Sequence, residues 1–307
     1  MNILPKPKSN SGQTLLVVVL VISVSLIIAL SVISRTVTDV TVTNKEDESQ
    51  RAFSAAEAGI EKSLLSGVAI PTTNLNNSAS FTTQVTNFSQ GTTSFVNPMS
   101  FYSGESMTLW FVSHSASGST VCDGTHPCFT GDAFTVCWVK TESTPTDVNK
   151  IPALELSVYY ETTAGDPSTL QIARATFDPN QSRGNGFAAV DAGTCSIGTP
   201  ATLFAYKKAI SLNTNLGLTS TITGTINKLQ FARIRLLYNT DTPHLIGITG
   251  GSTAFPSQGV IIDSTGTSCT AAGSCGDSNR KITVVEGYKE IPSIFESAIF
   301  SPGGIIK

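Results

Sequence analysis

A long apolar run near the N-terminus constrains this chain more than any other feature. No charged residue occurs between Lys8 and Arg35, and Leu15 to Ile33 is apolar except for three serines. Because an α-helix rises about 1.5 Å per residue, this run covers roughly 28 Å, close to the hydrocarbon thickness of a bilayer at about 30 Å. Leu, Ile and Val each favour insertion by roughly 0.3 to 0.6 kcal/mol at the centre of a membrane helix. The sequence therefore predicts one transmembrane helix over Leu15–Ile33.

The charges that flank this run predict its orientation. Lys6 and Lys8 precede it, and positive residues stay on the cytoplasmic side of a membrane helix. We therefore expect a single-pass protein of the inner or cytoplasmic membrane, with its N-terminus inside and everything after Arg35 outside. The alternative is a cleaved secretory signal, for which Ala29-Leu30-Ser31 is the small-residue candidate, although it lies inside the apolar run.

Helix breakers are absent well beyond the membrane length. Proline does not occur from Lys8 through Ile70, nor glycine from Gln13 through Ala58. The sequence therefore predicts one helix over Gln13–Ser66, about 80 Å long and more than twice a membrane thickness. Gly67 and Pro71 are expected to end it.

The second half of this helix needs a contact other than lipid. Phe53, Ala56, Ile60 and Leu64 recur at helical spacing, while Glu57 and other charged residues face elsewhere. We expect this apolar face to pack onto the domain that follows.

After residue 91 the apolar pattern alternates with a period of two, which is typical of β-strands. Turn-rich segments separate the candidate strands, which are Met107–His114, Ala133–Lys140, Leu154–Tyr160, Ile172–Phe177, Leu203–Leu212, Leu229–Tyr238, Gly259–Asp263 and Lys281–Glu286. The expected fold class is α+β: a long N-terminal helix, residues 13–66, followed by a mainly antiparallel, β-sandwich-like domain, residues 67–307. Gly, Asn and Ser accumulate at 179–199, where the domain could divide into two subdomains.

Charge and composition argue against some partners. The net charge is −3 and only 13% of residues are charged, whereas nucleic-acid affinity depends on clustered Lys and Arg. We therefore do not expect nucleic acid as a partner. A local basic patch remains an alternative, with Lys207, Lys208, Arg233 and Arg235 as its candidates.

The cysteines lie on the side assigned as extracytoplasmic, where disulfides persist. There are six, at positions 122, 128, 137, 195, 269 and 275. Fifteen pairings are open. We expect Cys122–Cys128 and Cys269–Cys275, because each would close a short glycine-containing loop, and Cys137–Cys195 with less support. A free Cys137 on a buried strand is the alternative. A zinc site at Cys122, His126 and Cys128 lacks a second ligand pair.

A possible calcium loop begins at Asp178. Asp178, Asn180 and Ser182 place oxygen atoms at every second position, as calcium loops do. Arg183 stands where glycine is expected, and Ala189 where a bidentate acid should close the loop. A polar turn is the alternative, and no other cofactor is expected.

The sequence contains no recognisable catalytic motif. It has three histidines, at positions 114, 126 and 244, and no nucleophile elbow, Walker loop or metalloprotease helix. We therefore expect a protein that is not an enzyme. A secreted enzyme with a β-sandwich scaffold stays the alternative, since dispersed triads meet only in the fold.

Two segments in the first 65 residues match the pattern of a known protein family. Ser11-Gly12-Gln13, directly before the apolar run, resembles a type III prepilin leader with its cleavage site. The segment Gln50–Glu61, which contains Ala55-Ala56-Glu57-Ala58-Gly59, is similar to the end of the N-terminal helix in PilX-type minor pilins. The two matches cover about the first 65 residues. A closing stretch, Ile291–Glu296, is of a kind such proteins often carry.

The resemblance implies both processing and partners. A prepilin peptidase would cut between Gly12 and Gln13, removing residues 1–12 as a leader, and the helix would then pack with other pilins. Val17 stands at the fifth mature position, where major pilins carry Glu, and this favours a low-copy or tip subunit of a type IV pilus or type II secretion-like filament. Gln13 in place of the usual Phe is a further departure. The alternative is a permanently membrane-anchored surface adhesin or binding protein.

Overall fold

The computed structural model describes residues 11–115, 118–269 and 275–290. The remaining residues, which include most of the expected leader and all of Ile291–Glu296, lie outside this description. By its contacts the chain divides into two compact units. The first comprises residues 1–84 and 262–283, and the second comprises residues 85–261 and 284–307. The 179–199 segment lies within the second unit.

The predicted long helix is present as one element, α1, over Ser11–Ser66. It ends where the sequence indicated. Gly67 adopts a left-handed conformation with φ of +69°, which lets its N–H bond to the carbonyl of Ser63 at 2.8 Å and satisfy a terminal acceptor.

The strands and the two short helices follow in chain order. They are β1 (Thr73–Leu75), β2 (Ala79–Asn87), β3 (Ser94–Phe101), β4 (Ser106–Trp110), β5 (Ser113–His114), β6 (Thr120–Val121), β7 (Ala133–Lys140), β8 (Ala153–Glu161), β9 (Leu170–Asp178), β10 (Ala188–Ala189), β11 (Cys195–Ile197), β12 (Thr202–Ser211), α2 (Leu212–Leu216), α3 (Ser220–Thr223), β13 (Leu229–Leu237), β14 (His244–Thr249), β15 (Gly259–Cys269) and β16 (Cys275–Gly287).

Most strands belong to three sheets. Sheet I has the order β1-β2-β15-β16, sheet II the order β10-β9-β8-β13-β4, and sheet III the order β11-β12-β7-β14-β3. In sheets II and III the long strands pair antiparallel, and only the short β10–β9 contact among the described residues is parallel. The α+β prediction is therefore confirmed.

The core of the second unit lies between sheets II and III. A single buried apolar cluster includes Trp138 of β7 and Ile248 of β14 from sheet III, with Leu156 of β8 and Ile234 of β13 from sheet II. A core formed by the inward-facing side chains of two sheets is the pattern of a β-sandwich. The strand prediction over Met107–His114 was wrong in one respect, because the chain leaves β4 at Trp110 and forms the separate strand β5.

Candidate functional site

The N-terminal half of α1 is exposed along its whole apolar run. Every residue from Leu15 to Ile33 is exposed, with Leu15 at 69% and Ile33 at 58%. Within the described residues, one helix is long and apolar enough to cross a membrane, and it is α1. The predicted membrane span therefore has the helical form that a bilayer requires, because every interior backbone group is bonded within the helix.

The stretch of α1 beyond the span is rich in β-branched residues but satisfies its own hydroxyl groups. Four threonine side chains donate to the carbonyl four residues earlier at 2.8 to 2.9 Å, namely Thr36, Thr38, Thr41 and Thr43. These hydroxyls need no water as an acceptor. Val37 and Val40 remain exposed between them.

The C-terminal part of α1 packs on sheet I within the first unit. We call the buried face the seam; its residues are Ala52, Ala55, Ala56, Gly59, Ile60 and Ser63. The predicted face was partly wrong: Phe53 is 46% exposed and Leu64 is 42% exposed. The buried stripe is displaced because small residues allow a closer approach to the sheet than a phenylalanine would.

Two glycines set the distance between helix and sheet at the seam. A Cβ atom added at Gly266 of β15 would lie 2.0 Å from the carbonyl oxygen of Ala52 and 2.4 Å from the amide nitrogen of Ala56. A Cβ at Gly59 would lie 2.2 Å from the Ser264 hydroxyl and 2.9 Å from the Phe81 ring. Helix backbone and strand backbone therefore touch, which only glycine permits at these positions.

A short network of hydrogen bonds lies at the C-terminal end of the seam. The hydroxyls of Ser63 and Thr83 are hydrogen-bonded at 2.6 Å in a buried position, and the Thr83 oxygen accepts from the Ile70 N–H at 2.8 Å. The buried Ser264 hydroxyl has no hydrogen-bond partner among the described residues. Nearby, Thr283 and Lys281 bond to Asp263 and hold the pKa of its carboxyl below its usual value.

The motif that carries the pilin resemblance thus has a packing role. Ala55, Ala56 and Gly59 are buried in the seam, whereas Glu57 is exposed and Ala58 is half-buried. The proposed processing residues, Gly12 and Gln13, fall in the first turn of α1. Sequence reasoning missed the strand side of the seam. The available signal was the run of small residues at alternate positions of β15, Ser264, Gly266 and Ser268, all of which are buried.

All six cysteines form disulfides, in the pairs expected from the sequence. Cys122–Cys128 and Cys269–Cys275 close short loops, and Cys137–Cys195 joins β7 to β11 across 58 residues. The thiolates that zinc would need at Cys122 and Cys128 are consumed in the first of these bonds.

Asp178 has partners other than a metal ion. Its side chain is fully buried, both carboxylate oxygens accept from the Arg183 guanidinium at 2.7 and 2.9 Å, and Asn185 donates to it at 2.7 Å. Asn180 and Ser182 bond to each other in a 3-10 turn next to it. The guanidinium thus supplies the positive charge that a calcium ion would bring.

Arg183 also ties this turn to the start of β8. It donates to the carbonyls of Val148, Asn149 and Ile151 at 2.8 to 3.0 Å, and its guanidinium lies 4.1 Å from the centre of the Tyr238 ring. The ion pair therefore helps to hold the turn around Arg183 against the chain that leads into β8.

The three histidines differ in their surroundings. His114 stacks on Tyr288 at 3.8 Å, and burial lowers its pKa to about 4. Burial also lowers the pKa of His244, whose two ring nitrogens have no hydrogen-bond partner among the described residues. His126 lies 2.9 Å from Asp123 in the Cys122–Cys128 loop, and the hydrogen bonds from Thr125 and His126 lower the pKa of that carboxyl.

The four basic residues considered for nucleic acid do not form one patch. Lys207 and Lys208 lie on β12 of sheet III, whereas Arg233 and Arg235 lie on β13 of sheet II. Three of them face carboxylates: Lys208 lies 2.9 Å from Asp191, and the two arginines lie 3.4 and 3.5 Å from Glu290 and Glu155.

One groove of about 90 Å³ opens in the second unit. Its walls come from β3, β4 and the chain around Tyr288, and its titratable side chains are Tyr288 and Glu290. The Gln258 amide reaches the main chain of Trp110 at its rim, accepting at 2.7 Å and donating at 3.0 Å. The groove is lined by both apolar and polar residues, and within it the Thr108 hydroxyl donates a hydrogen bond to the Glu290 carboxylate.

Comparison with known proteins provides no family for this chain: no protein-family model, curated protein or solved structure matches it.

Proposed function

We propose that this protein is a minor pilin-like structural subunit of a type IV pilus or a type II secretion-like filament, present in few copies or at the tip. It acts by packing and contact. Its helix is held in the membrane and then among the helices of other pilins, and the β-domain is displayed outside the cell.

The observation that supports this proposal is the difference in burial between the two parts of α1. The helix is continuous over Ser11–Ser66, yet only its C-terminal part, from Ala52 onward, is buried against its own sheet. The exposed part is about 60 Å long at roughly 1.5 Å per residue, twice the thickness of a hydrocarbon core. A bilayer alone does not cover such a length, and neighbouring helices would.

The chemistry of the exposed part suits helix packing in a low-dielectric setting. Ser23 donates to the carbonyl of Val19 at 2.7 Å, and the later threonines do the same with their own helix. Small residues with satisfied hydroxyls let helices approach closely in lipid, where packing and not hydrophobicity drives association. Val17 leaves the expected acid position without a charge, which supports a terminal or low-copy place.

Processing by prepilin peptidase tests the proposal. The full chain is produced in cells with and without the peptidase, and the N-terminal peptide is identified by mass spectrometry. We expect a Gln13 start only when the peptidase is present. Gly12→Arg should block the cut because its side chain obstructs a narrow cleft, whereas the matched change Ser11→Ala should not. Retention of Met1 in peptidase-containing cells would favour the anchored surface-protein alternative.

A further inference from the structure

β9 is an edge strand of sheet II for most of its length. β10 pairs with it only at Phe177 and Asp178, so Leu170 to Thr176 has β8 on one side and, among the residues that the structure describes, no strand on the other. The β8–β9 register is continuous without a bulge. An exposed edge of this kind presents main-chain donors and acceptors to any strand of suitable sequence.

Main-chain alternation identifies which groups point to the free side. The main-chain N–H of Glu161, at the end of β8, donates to the main-chain carbonyl of Lys228, which lies on the β13 side. Its neighbour Tyr160 must then face β9, where it lies opposite Gln171. Gln171, Ala173 and Ala175 therefore bond to β8.

The N–H and C=O groups of Ile172, Arg174 and Thr176 consequently point outward, whereas the Leu170 N–H donates to the carbonyl of Pro167. Within the described part of the chain, no main-chain partner occurs for Ile172, Arg174 and Thr176. Their side chains share the outer face of the sheet, with Ile172 beside Tyr159 and Arg174 beside Ser157.

The edge strands β3 and β4 carry features that discourage strand addition. β3 contains Pro98, and the Asn97 side-chain oxygen accepts a hydrogen bond from the Met99 N–H at 2.9 Å. On β4, the Gln258 amide caps the main chain of Trp110. Proline and side-chain caps are the usual protection of edge strands. β9 has neither.

The side chains of β9 indicate the chemistry of the strand that fits. Leu170 is 42% exposed and Ile172 is 47% exposed, so the outer face offers apolar contacts. Arg174 is the single charged residue from Leu170 to Phe177, and it is exposed. A carboxylate placed opposite Arg174 would complement its charge, as opposite charges across a strand pair do.

We propose that the β9 edge binds an extended segment of another protein by strand addition, with apolar side chains at alternate positions and a carboxylate facing Arg174. Main-chain bonds at Ile172, Arg174 and Thr176 supply the affinity, and the Arg174 side chain supplies the selectivity. This inference does not depend on the pilin proposal.

The probes are two labelled heptapeptides that alternate threonine and valine and carry either glutamate or lysine at the centre. Binding to the full chain in detergent is measured by fluorescence anisotropy. We expect the glutamate peptide to bind about three- to fivefold more tightly than the lysine peptide, the range of one cross-strand charge pair. Arg174→Glu should reverse this preference.

Ile172 provides the matched main-chain test. Ile172→Pro removes an outward N–H without breaking a bond to β8. It should weaken binding of the glutamate peptide at least about fivefold relative to Ile172→Ala. Equal binding by these two variants would overturn the proposal, as would failure of both peptides to bind the wild-type chain. Self-association of the chain that Ile172→Pro abolishes would overturn the assignment of the partner. The reversal by Arg174→Glu remains a test if Ile172→Pro fails to fold.

Discussion

Gly266→Ala is the change that should most damage the attachment of α1 to sheet I. The new methyl group would lie 2.0 Å from the Ala52 carbonyl oxygen and 2.4 Å from the Ala56 nitrogen. Both obstacles are main-chain atoms of a helix, so no rotamer change relieves them, and the helix must shift by more than 1 Å. Overpacking costs about 1 to 3 kcal/mol, and we expect the upper end here.

Gly287→Ala is the matched control, because Gly287 lies on β16, the neighbour of β15 in sheet I, and a Cβ there meets nothing within 4 Å. Hydrogen exchange of the peptide covering residues 52–63 measures the opening of the seam in the full chain. A loss of about 3 kcal/mol corresponds to roughly hundredfold faster exchange in Gly266→Ala. Exchange in Gly287→Ala should match the wild type. Equal rates in the two variants would refute the argument that close backbone contact holds the helix.

Three further predictions concern the second unit. Replacing both cysteines of Cys137–Cys195 by alanine should lower the free energy of unfolding by about 4 kcal/mol, the chain-entropy value for a loop of that length, as measured by urea unfolding; no change would contradict it. Arg183→Met should cost about 3 to 5 kcal/mol because it leaves the Asp178 carboxylate buried without its cation, and Arg183→Lys should recover only part of this loss in the same assay. The wild type should lose on the order of 1 to 2 kcal/mol as the pH falls from 6.5 to about 4, a value reduced for the partial solvent exposure of the His114 ring. The unfolded chain takes up a proton at His114 that the folded chain does not bind, and His114→Phe should abolish that part of the pH dependence.

The long helix and the β-rich body could be predicted from the sequence because each depends on a local pattern. The absence of Pro and Gly from Gln13 through Ala58 and the period-two alternation of β7 and β8 are such patterns. The buried face of α1 was harder to predict from the sequence. A hydrophobic residue such as Phe53 suggests burial, but the seam is decided by Gly266, which is more than two hundred residues away in the sequence. Only the fold brings the two positions together.

The site around Asp178 shows a second limit of sequence reasoning. Oxygen-bearing side chains at alternate positions are shared by calcium loops and by polar turns. Arg183 is a departure from the calcium pattern in the sequence, and in the structure it is the partner of Asp178. The strand edge at β9 was also hidden, because a strand's neighbours depend on the order of the sheet and not on its own residues.

The central claim is that the exposed half of α1 lies among the helices of other pilins. A photo-reactive phenylalanine analogue placed at Leu26 tests it directly, by cross-linking in cells that produce filaments and mass spectrometry of the adducts from sheared filaments. We expect adducts between Leu26 and the N-terminal helix of a pilin subunit. Adducts with lipid alone, and none in the filament fraction, would contradict the claim.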